Sequence, residues 1–330
     1  MNILKNKNKP KANRKHNPIN GHDAEVLAKS KFILALSGEL NSTSRVLDND
    51  KLDFNINFLH PWRKEQLIQF CQVKSGKAYG YEVNQESYEI KKGLIEELKK
   101  DTKSNCLIWV NRETNNLYWV YIHSKSTSVR TNFSNQHKVT PATRFDLARC
   151  FEKLNQSNFS FKGARGITIK TLKKNYIENR NYAKNKYKTL QNSKIFNPVL
   201  GQIHCTNLGW KHISRRNRKK EFKNSSFNTV SYLQNIMSST PNSIAILNCT
   251  YDNQNNYTWR NAEYILKYKE ALLSSNLSGI YRKLKITIIV RVIETIVYPK
   301  NWKNESQLSQ MISRKVTLKS FYYKEEKEIS

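Results

Sequence analysis

The sequence has no Cys-x-x-Cys pair, and its five cysteines, Cys71, Cys106, Cys150, Cys205 and Cys249, are odd in number and widely spaced. That spacing argues against a structural zinc site and offers no disulfide framework. Apolar runs of transmembrane length are also missing, and the basic opening MNILKNKNKPKANRKHNP has no apolar core of the kind a signal peptide needs. No amphipathic or lipidated anchor accompanies the basic runs, so an anionic membrane is not the expected partner. There is no internal repeat. These absences lead to the expectation of a cytoplasmic protein with a disordered basic arm over 1–20.

Acidic residues are scarce. The chain has 57 Lys and Arg against 26 Asp and Glu, a formal net charge of +31. Such a field concentrates polyanions, which makes nucleic acid the expected partner, DNA favoured and RNA possible. The halves are unequal: 1–150 carry +10 and 151–330 carry +21. At 330 residues the chain exceeds the size at which one core stops growing, about 250 residues, so two domains are expected.

Hydrophobic spacing sets out the order of elements. Val26, Leu27, Phe32, Ile33 and Leu36 predict a helix over 23–37 that ends at Gly38. Alternating runs at 52–60 and 65–76 flank Pro61-Trp62-Arg63-Lys64 and predict a β-hairpin. A helix over 85–100 and two strands within CLIWVNRETNNLYWVYIH follow, then a short helix over 142–155. This predicts an α/β fold, a mixed sheet flanked by helices, over 21–160. Residues 161–195 predict a basic linker helix, in which Tyr176, Tyr182 and Tyr187 either stack on unpaired bases or form one buried seam. A second, α+β domain is expected over 196–324, with helix 226–238, strand 243–250, helix 259–274 and two late strands, before a tail at 325–330. His204 reads as structural.

Metal-assisted phosphodiester hydrolysis needs hard oxygen ligands gathered at one point beside a cation that stabilises developing charge. Asp53 on the first hairpin strand faces Gln72 on the second, the Val73 carbonyl lies nearby, and Lys74 shares the Gln72 face. The segments GHDAEVLAKS, DNDKLDFNI, FCQVKSGK and NNLYWVYIH resemble the PD-(D/E)XK nuclease superfamily, closest to its Mrr-like Q-x-K branch of prokaryotic defence proteins. The resemblance covers about 21–155. It implies a restriction-endonuclease-like sheet, Glu25 as the helix carboxylate, Asp53 as the principal ligand of Mg2+ or Mn2+, Gln72 in the acidic position of the motif and Lys74 as the catalytic lysine. Glutamine leaves that site one negative charge short. Asp48 and Asp50 are alternative ligands if the register differs.

In the second half, PVLGQIHCTNLGWKHISRRNRKKEFK places Lys211 and His212 after a turn at Gly209 and before Arg215, Arg216, Arg218, Lys219 and Lys220. This stretch is weakly similar to small ribonucleases of the barnase, EndoU, colicin and RelE type. The similarity implies His212 as general acid or base and Lys211 or Arg215 as the phosphate partner. The basic cluster would hold backbone phosphates in either case. The leading expectation is therefore a metal-dependent DNA endonuclease of anti-phage defence, with a homodimer and a regulatory protein partner both open. The alternatives are a metal-independent ribonuclease toxin and a non-catalytic nucleic-acid-binding protein.

Overall fold

The computed structural model describes residues 18–41, 52–84, 87–100, 104–124, 130–155, 163–172, 175–277 and 280–326. Most of the expected basic arm, Asp48, Asp50, the boundary near 160 and the last residues of the tail lie outside the described residues. The chain divides into two compact units, Met1–Ala148 and Arg149–Ser330. Both have an α/β architecture in which a mixed sheet is flanked by helices.

The first unit begins with α1 (Pro18–Leu36), followed by β1 (Glu39–Asn41), β2 (Phe54–Leu59), β3 (Gln66–Ser75), β4 (Gly80–Asn84) and β5 (Ser87–Ile90). Next come α2 (Lys92–Leu98), β6 (Asn105–Val110), β7 (Leu117–Ile122), β8 (Asn132–Ser134) and α3 (Thr143–Asn155), within which the division after Ala148 falls. Five strands form a sheet in the order β1-β2-β3-β6-β7, and β4, β5 and β8 form a second, small sheet. The β3–β6 pairing is parallel and the other pairings of the large sheet are antiparallel.

Helix α1 starts earlier than its apolar spacing predicts, and it buries Ala24, Ala28, Phe32, Ala35 and Leu36 while Val26 is exposed. The buried stripe runs through alanines, whose small side chains let the helix sit close to the sheet. Phe32 meets Phe54 of β2 edge to face at 6.4 Å, which fixes α1 on the Phe54 face. Ser37 takes the left-handed turn (φ 49°) that ends the helix, and Gly38 is needed for closeness instead. A Cβ at Gly38 would stand 2.6 Å from the Asn57 carbonyl oxygen. The other sheet face is closed by Tyr88, Ile90, Leu94, Ile95, Leu98 and Phe133 packed on Leu107, Trp109, Tyr118 and Val120. Here the expected helix over 85–100 is corrected: Ser87–Ile90 pairs with β4 and β8 as a strand, leaving only Lys92–Leu98 helical.

The second unit contains β9 (Thr168–Lys170), α4 (Tyr176–Gln191), β10 (Ile195–Asn197), β11 (Gly201–His204), α5 (Asn207–Ser214), α6 (Lys220–Thr229) and α7 (Leu233–Ser238). It continues with β12 (Ser243–Gln254), β13 (Tyr257–Leu277), β14 (Ile280–Pro299), α8 (Leu308–Met311) and β15 (Ser313–Glu325). The sheet order is β10-β11-β15-β14-β13-β12, with β9 added beside β13.

The expected helix over 259–274 is corrected to the interior strand β13, between β14 and β12. Its buried residues Ala262, Tyr264, Leu266 and Tyr268 recur every second position, and Asn255 and Asn256 (φ 45° and 64°) make the two-residue turn that pairs it with β12. The expected helix over 226–238 starts at Lys220 and is interrupted by a 3-10 turn at Val230–Tyr232.

Helix α4 is capped by Asn175, whose side chain accepts from the Glu178 N–H at 3.0 Å. Its Ala183, Tyr187 and Leu190 belong to the core of this unit. The tyrosine seam is corrected to one residue, since Tyr176 and Tyr182 are exposed. Gly209 lies inside α5 and not in a turn. A Cβ there would clash with the Tyr187 hydroxyl and stand 2.8 Å from the Leu318 carbonyl oxygen. Gly209→Ala therefore destabilises this unit by about 1–3 kcal/mol of overpacking and lowers its melting temperature, although alanine is ordinarily the better helix former. Thermal unfolding followed by circular dichroism measures it.

Candidate functional site

Asp53 stands immediately before β2 and extends the β2–β3 pairing, since its N–H donates to the Cys71 carbonyl at 3.0 Å. Its carboxylate accepts the Val73 N–H, a hydrogen bond that ties it to the middle of the Gln-x-Lys run. Burial pushes the Asp53 pKa up, against the lowering effect of the Val73 N–H and the Lys74 ammonium; Glu25 adds to the rise and Lys29 opposes it. Glu25, Lys29 and Lys74 thus each lie within electrostatic reach of Asp53. Sequence reasoning missed Lys29, although the i,i+4 spacing from Glu25 was its signal.

The register sorts these groups onto the two faces of the sheet. Phe54 is opposite Cys71, and Cys71 neighbours Cys106, so this row faces α1. Gln72 and Lys74 neighbour Leu107 and Trp109 and lie on the other face. Gln72 is buried at 3% exposure, and the Lys74 ammonium sits 5.8 Å from the Tyr79 ring centroid. Glu25 belongs to the helix on the Phe54 side, where its carboxylate pairs with Lys29. Asp53, at the strand's beginning, interacts with both groups. Val73 meets Asp53 through its N–H, whereas sequence reasoning singled out its carbonyl.

His60 is buried at the end of the β2–β3 hairpin, where its backbone N–H donates to the Glu65 carbonyl at 2.8 Å. Sequence reasoning singled out neither residue, because an isolated histidine and acid in a basic chain have no diagnostic spacing.

In the second unit, His212 occupies the last turn of α5, so the expected β-turn setting is corrected to a helical one. Burial lowers its pKa below the ordinary histidine value, and Lys319, Arg215 and Arg291 lower it further against the pull of Glu263. Glu263 accepts from Arg291 Nε and from Lys319 Nζ, each at 2.7 Å. The β14–β15 register jumps at Arg291/Val292, leaving Lys319 as the extra residue of a β-bulge, a device that re-aims a side chain.

Arg218 is not a free phosphate ligand. It donates to the Ile213 and Phe321 carbonyls at 3.1 and 3.2 Å, and its pKa is pulled down to about 10 by burial and by Arg215. Lys211, Arg215, Arg216, Lys219 and Lys220 are exposed.

Comparison with family models, curated proteins and solved structures finds no match. Among the described residues no helix is long and apolar enough to cross a membrane.

Proposed function

We propose that the first unit is a divalent-metal-dependent nuclease for DNA, with Glu25, Asp53, Gln72 and Val73 at the Mg2+ or Mn2+ site and Lys74 as the catalytic lysine. The observation that supports it is Asp53: a carboxylate whose pKa burial raises, held by the Val73 N–H of the Gln-x-Lys run and within reach of Lys74. Burying a carboxylate is costly, and a desolvated carboxylate beside a specific cation is characteristic of sites that use it. Carboxylate and amide oxygens are also the donors that Mg2+ and Mn2+ prefer.

A bound divalent ion supplies phosphoryl polarisation and an acidified water. The chain's own residues do the rest. Asp53 and Glu25 hold negative charge toward the ion, Gln72 offers a neutral oxygen, and the Lys74 ammonium stabilises the charge that develops on the phosphoryl oxygens. The exposed Arg215, Arg216, Lys219 and Lys220 hold backbone phosphates without reading sequence. The resemblance to Q-x-K nucleases suggests defence against phage in the cytoplasm as the setting. Supercoiled plasmid, linear DNA and RNA, each incubated with EDTA, Mg2+ or Mn2+, test the activity. DNA cleavage that EDTA abolishes is expected; binding without hydrolysis under every metal would leave only a nucleic-acid-binding protein.

The surroundings of His212 favour a second reading, metal-independent RNA cleavage. A lowered pKa keeps the imidazole neutral near pH 7 and able to take the 2′-hydroxyl proton as that oxygen attacks phosphorus and the P–O5′ bond breaks. Arg215, Arg291 and Lys319 supply positive charge for the phosphate. This reading expects RNA cleavage in EDTA that His212→Ala abolishes, and a rate that rises with pH through a pKa below 6.5. A flat profile, or retained cleavage in the variant, removes it.

A further inference from the structure

The Gln72–Lys74 face of the β2–β3 pair holds two asparagines that the motif does not include, Asn57 and, nearer to Asp53 and Gln72, Asn55. Asn55 of β2 is 6% exposed, and its Oδ1 accepts no hydrogen bond. A buried acceptor left unmatched costs roughly 1–3 kcal/mol, so its retention needs a reason. Asn55 is opposite Phe70, which places it two positions from Asp53 along β2 and diagonal to Gln72 on β3. Residues so related share a sheet face, with Cα atoms about 7–8 Å apart on the diagonal, within reach of two amide side chains converging on one ion.

We propose that Asn55 Oδ1 is a further neutral ligand of the divalent cation at Asp53. The assignment rests on the nuclease reading and deepens it. On this face Asp53 brings the negative charge, with Glu25 acting on it from the helix side, and two amides, Gln72 and Asn55, fill coordination positions without adding charge. Hard cations with several oxygen ligands accept such a mixture. The missing carboxylate at Gln72 is then offset by one more oxygen on the neighbouring strand. An ordered water donating to Asn55 Oδ1 is the competing occupant, and it makes a different prediction.

The test uses the full chain and Mn2+ alone, read by electron paramagnetic resonance of free Mn2+ and by the Mn2+-induced rise in melting temperature. Asn55→Val removes the unmatched acceptor, so the metal-free variant is expected to melt at or above the wild-type temperature. It should also bind Mn2+ roughly 10-fold or more weakly, the scale on which support of a metal site is lost. Asn55→Asp should bind more tightly than wild type, with affinity that falls as its carboxylate is protonated.

Asp53→Asn runs beside them. If Asp53→Asn loses Mn2+ while both Asn55 variants bind as wild type does, the Asn55 assignment is overturned and the metal reading of Asp53 survives. If Asp53→Asn also binds normally, the underlying reading itself fails.

Discussion

Asp53→Asn is expected to lower metal-dependent DNA cleavage by about 10³-fold or more, and to unfold at a temperature equal to or above that of the wild type. The first effect follows from removing the principal charged ligand beside Lys74; losing one preorganised charge-stabilising group typically costs 10²–10³, and a metal ligand no less. The second follows from linkage. Because burial raises the Asp53 pKa, the folded state binds this proton more tightly than the unfolded chain does. The carboxyl's contribution to stability therefore falls as pH rises from the unfolded value through the raised folded one.

At neutral pH the buried carboxylate is a net cost, which the neutral amide removes while still accepting the Val73 N–H. Lys74→Ala should lose a similar factor of about 10²–10³ in rate without that stabilisation. Undiminished plasmid cleavage by Asp53→Asn would sink the proposed site, and a destabilised variant would show that its carboxylate holds the fold together.

Legibility in the sequence followed the locality of the signal. The β2–β3 hairpin and the β6–β7 pair were readable, because alternating apolar runs flanked turn residues within one short window. Strand β13 was misread because WRNAEYILKYKEAL is rich in alanine, leucine, glutamate and lysine, all helix formers, while its period of two is set by partners far along the chain. Asn255-Asn256 marked the hairpin and was the better evidence. At the candidate site, the order of Asp53 and Gln72-Val73-Lys74 was visible. That Glu25 and the Gln72–Lys74 pair occupy opposite sheet faces was not, since faces are set by register. Asn55 was illegible for a similar reason: an asparagine in a strand carries no signal until its burial is known.

The buried charge cluster of the second unit shows the same limit and yields the largest stability prediction. Glu294 is fully buried; its Oε1 accepts from Arg149 Nη1 at 2.8 Å and Arg314 Nε at 2.7 Å, and its Oε2 from Arg260 Nη1 at 3.2 Å and the Tyr264 hydroxyl at 3.1 Å. Burial alone would raise the Glu294 pKa, but Arg149, Arg314 and Arg260 outweigh it and hold the carboxyl far below the usual carboxylate range. Glu294→Gln keeps the shape and leaves the three guanidiniums with no countercharge at that point.

Breaking a buried ion pair from one side costs about 3–5 kcal/mol. For a unit of this size that corresponds to roughly 10 °C in melting temperature. Pairing the change with Arg260→Met should recover part of the loss, because the second substitution removes one of the stranded charges. The sign in pH is fixed by the depressed pKa: the stabilisation is fully present above the ordinary glutamate value of about 4.3 and is lost as pH falls through the folded one. The melting gap between wild type and Glu294→Gln should therefore be constant from neutral pH to about 5 and close progressively below it. A gap that persists unchanged into strong acid would mean that the carboxylate's charge is not what the three arginines need.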